Sequence, residues 1–396
     1  MRSPVPHLDI DPFGENFLSD PYSFHGVMRD VASVFWLPAI GAYGIARYAE
    51  VKSALEDHQT FCSGRGVGSS DFAKEPPFRP PSLLLEADPP LHDRTRSLMN
   101  RVVSRAALRD RRASWQEIAD SLVAELVVKR QFEGMAELAE TFPLRVFPDT
   151  IGLRKDGREN LLVYAFTVFN AFGPRNTLFE QGQRGAEAAI EWVGKACRRT
   201  NLLAGGWGMA VFDAVDAGEC TEAEAERLVR SFLSAGIDTT VNGLGHMLLA
   251  FATHPHAWEQ VRANPSLART VFDESLRWDG TVQTFFRTTT GDAIVGEYVI
   301  PKDSKVVLFL AAANRDPRHF ASPEQFDPAR KNLGHVGFGF GIHQCLGQMV
   351  ARQEAEVVLN ALLARVASFR LTGPVTRRLN NTLHALGSLP IEVTPL

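Results

Sequence analysis

The sequence predicts a mainly α-helical chain with small β-sheets, and three observations carry that expectation. Apolar residues recur at helical spacing through most of the chain. One segment, from Thr221 to His254, stays apolar nearly all round for over thirty residues, the pattern of a buried central helix. Strand-like runs are short and scattered, which argues against a doubly wound sheet.

In chain order, the helical periodicity places elements over 49–57, 91–103, 113–129 and 158–172, then the central helix, then 267–278 and 346–366. Short alternating or apolar runs place strands at 34–37, 42–45, 296–300 and 305–310, with a last one around 389–394. The central helix has its start written in Thr-Glu-Ala-Glu. Thr221 takes the N-cap, and Glu224 three residues on completes a capping box. The run ends at His254-Pro255. The punctuation-rich stretch Gly64–Pro81 reads as a long surface loop, of the kind that serves as a functional lid. With no second core on its N-terminal side, residues 1–396 are read as one domain.

Composition narrows the function classes. The 396 residues carry 42 Lys+Arg against 46 Asp+Glu, a net charge of -4. That balance lacks the basic excess of a nucleic-acid-binding surface. Cys62, Cys197, Cys220 and Cys345 are scattered, with no C-x-x-C pair, so neither a disulfide framework nor a thiolate zinc site is expected. Free thiols in a reducing compartment follow. The opening MRSPVPHLDIDPFGENF lacks the features of a signal peptide, and no run approaches the ~18 apolar residues of a membrane span. A cytoplasmic protein without membrane contact is expected. The 26 Phe against 5 Tyr and 6 Trp point to a large apolar core or an apolar pocket.

The most informative segment is GFGFGIHQCLG, residues 337–347. A glycine-rich loop delivers Cys345 to the start of an apolar helix, where backbone N–H groups and the helix dipole favour a thiolate. Gly341 and Gly347 let backbone approach something large and flat, and Phe338 shields one side of the sulfur. Two other readings stand beside this one: a buried structural thiol, or a nucleophile awaiting a positioned base.

The pattern Phe-x-x-Gly-x-His-x-Cys-x-Gly, from Phe338 to Gly347, resembles the proximal-ligand signature of the cytochrome P450 family. Gln348 departs mildly from it, standing where a small residue is commoner. The resemblance implies haem b between the central helix and the helix after the Cys loop, with the Cys345 thiolate as axial ligand to its iron. Glu274 and Arg277, in DESLRW, match the family's E-x-x-R pair, with Arg330 in FDPAR as third member. Their implied role is structural, a buried charge network that holds the loop carrying Cys345.

Ala235-Gly236-Ile237-Asp238-Thr239 matches the family's A-G-x-D-T element. A mid-helix Gly costs about 1 kcal/mol relative to Ala, and close approach to haem and dioxygen is the expected reason for Gly236. The Thr239 hydroxyl is expected to back-bond to the Ala235 carbonyl and distort the helix. Asp238 beside it can relay protons as a general acid. The resemblance also implies His92, Arg96, Arg287 and His343 as partners of the haem propionates.

No GxGxxG follows a strand, so the chain is not expected to collect electrons from NAD(P)H itself. By resemblance to soluble bacterial members, a two-iron, two-sulfur ferredoxin and its flavin-dependent reductase supply them, and Arg352 near the thiolate loop is a candidate docking residue. A monomer is expected.

At the far end of the central helix, Arg230, Ser231 and Ser234 form a polar anomaly. Residues 231, 235 and 238 are read as one face, with Ser231 roughly 12 Å along the axis from Thr239. Arg79 and Ser82, in FRPPSLLLE, supply a guanidinium and a second hydroxyl, a donor set suited to a carboxylate. The competing view is that Arg79 forms a salt bridge and Ser231 back-bonds within its helix. The arrangement resembles the bacterial subfamily that oxidises para-substituted benzoates such as 4-methoxybenzoate. That resemblance implies a carboxylate site of Arg79, Ser82 and Ser231, with Arg230 acting on charge balance. It also implies apolar walls from Leu85, Phe169, Phe172, Ala235, Val282 and Phe285. A peroxide-using haem-thiolate enzyme, a P450 acting on another small apolar substrate, and a non-catalytic haem sensor or carrier remain the alternatives.

Overall fold

The computed structural model describes residues 4–331 and 334–396, so only the first three residues of the opening stretch fall outside it. Helices dominate. The long ones are Arg105–Lys129, Asp238–Thr253, Gln348–Leu363, Glu222–Ala235 and Leu91–Val102. Five short strands form the main sheet, in the order Phe35–Leu37, Ala42–Ile45, Lys305–Phe309, Thr284–Thr289 and Phe61–Cys62. Ala42–Ile45 runs parallel to Lys305–Phe309, and the other pairs are antiparallel. A three-stranded sheet joins Gln131–Glu133, Pro390–Pro395 and Val366–Leu371.

The largest apolar cluster gathers the central helix, the helix 105–129 and the helix 348–363, and a second cluster backs the main sheet. Helix 348–363 lies against 105–129, while Asp238–Thr253 packs on Val271–Trp278. Among the described residues no helix is long and apolar enough to cross a membrane.

Several expected elements change on folding. The central helix starts at the expected capping box but is not continuous. It breaks at Gly236–Ile237, giving Glu222–Ala235 and Asp238–Thr253. Side chains compete with the backbone here: the Thr239 hydroxyl donates to Ala235 O at 2.7 Å, and that of Thr240 to Gly236 O at 3.3 Å. The helix expected at 113–129 begins earlier, at Arg105, because Ser104 caps it by accepting from Ala107 N. The segment 267–278 divides into a 3₁₀ turn, Pro265–Arg269, and the helix Val271–Trp278. A helix at Thr141–Ile151 was hidden in the sequence by Pro143 and Pro148.

The stretch 64–81 is not a free surface loop. Val67 is fully buried and its carbonyl accepts from Phe286 N at 2.8 Å, while Ser69 N donates to Phe172 O at 2.8 Å. Lys305 Nζ donates to Gly66 O and Ser70 O, at 2.8 and 3.1 Å. The loop is thus stitched between the main sheet and the end of the helix Asn160–Asn170.

Candidate active site

Cys345 sits three residues before its helix, which starts at Gln348 rather than at Leu346. Its backbone N–H donates to Phe338 O at 2.8 Å, closing the glycine-rich loop on itself. Burial pushes the thiol pKa up, with the Gly347 N–H, Arg96, Arg352 and the Gln348 N–H opposing it. In the chain alone desolvation therefore outweighs the helix-start effect expected from sequence, and a cation facing the sulfur is needed to hold a thiolate. Gly341 has φ +68°, and a Cβ there would lie 2.4 Å from Leu55 O, so its glycine serves chain packing. At Gly347 a Cβ would meet only the sulfur, at 3.9 Å.

Three acidic or basic groups expected to form a network do meet. Glu274 and Arg277 are fully buried, with Arg277 Nε and Nη2 donating to the Glu274 carboxylate at 2.7 and 2.8 Å. Arg330 Nε adds a third contact at 3.1 Å. Arg277 also donates to the carbonyls of Asn314, Pro323 and Gln325. This triad touches the cysteine loop only indirectly, through Asn314, whose Oδ1 accepts from Val336 N at 2.8 Å.

The direct tie is Asp273, which sequence reasoning missed. It accepts from Arg352 Nη2 at 2.7 Å and from Arg352 Nε at 2.9 Å, and pairs with His335 Nε2 at 2.9 Å. His335 Nδ1 in turn accepts from Gly337 N at 3.0 Å, and the Arg352 guanidinium covers the Phe338 ring at 4.6 Å. Arg352 is therefore committed internally, against its reading as a docking residue. A signal existed, since Asp273 immediately precedes the E-x-x-R pair, but its partners lie far along the chain.

Above this loop opens a cavity. Cys345, Phe338, His343, Arg96 and Arg287 line one end. Arg287 is buried, and its charge is destabilised by burial to a pKa of about 10. Among the described residues neither Arg96 nor Arg287 has a carboxylate partner within salt-bridge distance. His92 does not line the cavity but stands behind His343, edge to face at 4.6 Å. Both imidazoles leave a buried Nε2 with no protein partner. Two unpaired guanidiniums and two orphaned imidazole nitrogens beside a buried thiol are what a dianionic, planar, thiolate-ligated group requires. The residues present fit haem.

The central-helix break borders the same cavity. Ser231, Ala235, Gly236 and Thr239 line it, so the exposed face is 231-235-239 and not 231-235-238. Asp238 turns away and is fully buried, with Oδ1 held by Asn242 Nδ2 at 3.1 Å and Arg378 Nη2 at 3.4 Å, while Oδ2 has no partner. Burial raises its pKa to about 6, with Arg378 opposing, Glu140 adding and Asn242 opposing. Gly236 borders the cavity, yet its missing side chain is explained by protein: a Cβ would lie 2.5 Å from the Phe147 ring. Arg378 and Asn242 are further residues that the sequence did not single out.

The lining also includes Phe169, Phe172, Phe285, Val282 and Leu85, with Arg79, Ser82, Ser231 and Ser234 supplying polarity. Phe169–Phe172 and Phe172–Phe285 pack edge to face, at 5.9 and 6.0 Å. Ser231 Oγ donates to Arg227 O at 3.1 Å, so the back-bonding reading applies to it. Ser82 Oγ instead accepts from the N–H groups of Leu84 and Leu85, which leaves its own proton free. Arg79 pairs with Glu86 at 3.0 Å, so the salt-bridge reading also applies, although Glu86 is buried rather than on the surface. Arg230 lies outside the main cavity, in an adjoining recess with Arg227, Tyr164 and Arg79. Arg227 and Glu86 complete this end and carried no sequence signal beyond proximity.

The family model described as Cytochrome P450 matches residues 209–390. The chain is 49% identical over 392 residues to cytochrome p450 CYP199A2 of Rhodopseudomonas palustris, covering 99% of this chain and 95% of that one. It is 30% identical to beta-dihydromenaquinone-9 omega-hydroxylase of Mycobacterium tuberculosis, covering 98% and 79%. The solved structure of cytochrome P450 CREJ superposes with a TM-score of 0.87 at 23% identity, over 98% of this chain and 99% of that one, a likeness of fold.

Proposed function

The chain belongs to the cytochrome P450 family, and from that premise we propose that this haem-thiolate monooxygenase hydroxylates or O-demethylates para-substituted benzoic acids such as 4-methoxybenzoate. The observation that carries the proposal is the polarity of the cavity. A phenylalanine-walled slot carries the Arg79 guanidinium and the Ser82 hydroxyl in its lining, and both also border the recess beside Ser231 and Ser234. A planar aromatic ring fits between the phenylalanines, with its carboxylate toward Arg79 and Ser82 and its para substituent toward the thiolate end.

Haem b is the family's cofactor, and Cys345 is the proposed ligand; Arg96, Arg287 and His343, which line the cavity, would take its propionates, with His92 backing His343. When bound, the haem supplies an iron whose thiolate ligation favours O–O cleavage. The chain's own residues supply protons and order. Asp238, with a pKa near 6, holds a proton close to neutral pH where an ordinary aspartate would not. Arg378, whose side chain is 40% exposed, links Asp238 Oδ1 to solvent. The Thr239 proton is taken by Ala235 O, so the hydroxyl presents its oxygen to the cavity as an acceptor that can hold water. Phe338 and Arg352 shield the sulfur, and the Glu274–Arg277–Arg330 and Asp273 networks hold its loop.

For a methoxy substrate, hydroxylation of the methyl group gives a hemiacetal that collapses to the phenol and formaldehyde. Dioxygen and two electrons enter each turnover, the electrons from a two-iron, two-sulfur ferredoxin and its flavin reductase. The enzyme works as a one-domain monomer in the cytoplasm.

The test is a spin-state titration of the haem-loaded protein with 4-methoxybenzoate and with its methyl ester. The acid is expected to shift the Soret band to the blue and the ester to do so poorly. Equal binding of the two would remove the carboxylate end from the reading.

A further inference from the structure

We infer that Glu86 sets how strongly, and how selectively, the cavity holds an anionic substrate, because its carboxylate occupies Arg79 from behind. The inference rests on the carboxylate reading above and deepens it. Arg79 lines the cavity, whereas Glu86 is not part of the lining and its side chain is only 1% exposed. Glu86 Oε2 lies 3.0 Å from Arg79 Nη1 and accepts from Ser82 N at 2.7 Å. One carboxylate therefore orders both groups offered to the substrate. It fixes the guanidinium, and it closes the turn in which Ser82 keeps a free hydroxyl proton.

Arg79 is not alone. Arg227 and Arg230 share the recess beside it, so three guanidiniums lie close together and only Arg79 is paired with the buried Glu86. Arg227 feels Arg230 and Arg79 as like charges, with Glu224 and Glu86 opposing them. The Nε atoms of Arg79 and Arg227 are buried without partners, which leaves donor capacity for a second anion.

Glu86 therefore has two opposed effects on a bound benzoate. Holding Arg79 in place reduces the ordering cost of binding. Its own negative charge, on the far side of the same guanidinium, repels the incoming carboxylate through a poorly screened interior. Both effects reach a ligand through Arg79, and only the second depends on the charge of Glu86 itself. A neutral ligand of the same shape feels neither the attraction of Arg79 nor the repulsion of Glu86. Glu86 is a positioning residue in this scheme, since it acts on the substrate through Arg79.

Glu86→Gln separates the two effects, because glutamine keeps the size and the acceptor for Ser82 N while removing the charge. Dissociation constants are measured by spin-state titration of the haem-loaded full chain with 4-methoxybenzoate and its methyl ester. The ester-to-acid ratio of dissociation constants is expected to rise about tenfold in Glu86→Gln, equivalent to about 1.4 kcal/mol. A merely structural role would weaken acid and ester together and leave the ratio unmoved, and an unchanged or smaller ratio overturns the inference. If the wild type itself fails to distinguish acid from ester, the substrate reading has failed and Glu86 loses its role with it. If the wild type discriminates and the variant ratio does not rise, only the role of Glu86 has failed. Glu86→Asp, which withdraws the carboxylate by one methylene, is the second variant should the first not fold. Its ratio is expected to rise by a smaller factor, and no rise counts against the inference equally.

Discussion

Replacing Asp238 by asparagine isolates the cost of keeping a proton donor inside the helix break. Its carboxyl is fully buried and pushed up to about 6 from the ordinary 3.8. Between roughly pH 4 and 6 the folded chain keeps a proton that the unfolded chain has already lost. Stability contributed by the protonated form is therefore present at low pH and lost as pH rises through that window. At about 1.4 kcal/mol per pH unit, the full loss is about 3 kcal/mol. Asparagine has no such titration. Its amide would leave an N–H unpaired where Oδ2 now has no partner, at a cost of about 1–3 kcal/mol that does not vary with pH. The variant is thus expected to be less stable than the wild type at low pH and to gain on it by about 3 kcal/mol toward neutrality. Denaturant titrations of both proteins across this range measure the difference directly. Parallel stability curves would refute the buried, proton-holding carboxyl. Product formation should fall at least tenfold in the same variant.

Other expectations follow from the contacts around the cavity. Arg277→Leu takes from buried Glu274 its main partner and leaves the Asn314 and Pro323 carbonyls without their donor, and should cost about 3–5 kcal/mol with a collapse in haem-loaded yield. Arg112→Ala at the exposed Arg112–Glu356 pair should cost less than about 1 kcal/mol, and similar denaturation midpoints for the two would refute the contrast. Gly236→Ala drives a methyl to 2.5 Å from Phe147 and should cost about 1–3 kcal/mol, with Phe147→Leu restoring the loss in a double-variant cycle. Asp273→Asn weakens the charge-assisted bonds to Arg352 and His335, and haem transfer to an apoglobin acceptor should quicken about tenfold, with an unchanged rate arguing against this tie.

The elements and groups legible in the sequence share one property: their chemistry is written within a few residues. The capping box at Thr221 and Glu224 formed as read because both partners lie on one helical turn. The back-bond from Thr239 to Ala235 is likewise local. That reading expected the helix to be distorted there, but only packing reveals that it divides in two and that Asp238 turns away from the cavity. The strands at 42–45 and 305–309 were found from short apolar runs, but their parallel pairing across the main sheet was not. The loop 64–81 looked solvated because glycine, proline and charge dominate it, yet three distant elements bury its first half.

By itself the sequence carried the resemblance to the family, through the sulfur loop of Phe338 to Gly347, the E-x-x-R pair and the A-G-x-D-T element, because each is a short pattern of neighbouring residues. Tertiary structure alone decided which charges are spent internally and which face the cavity. Arg352 was read as a docking residue and is held by Asp273, the salt bridge weighed for Arg79 is made with a buried Glu86, and Asp238 pairs with Arg378, 140 residues away. The reason is physical. A charged side chain takes its meaning from desolvation and from the partner that offsets it, and both depend on residues that only folding brings together.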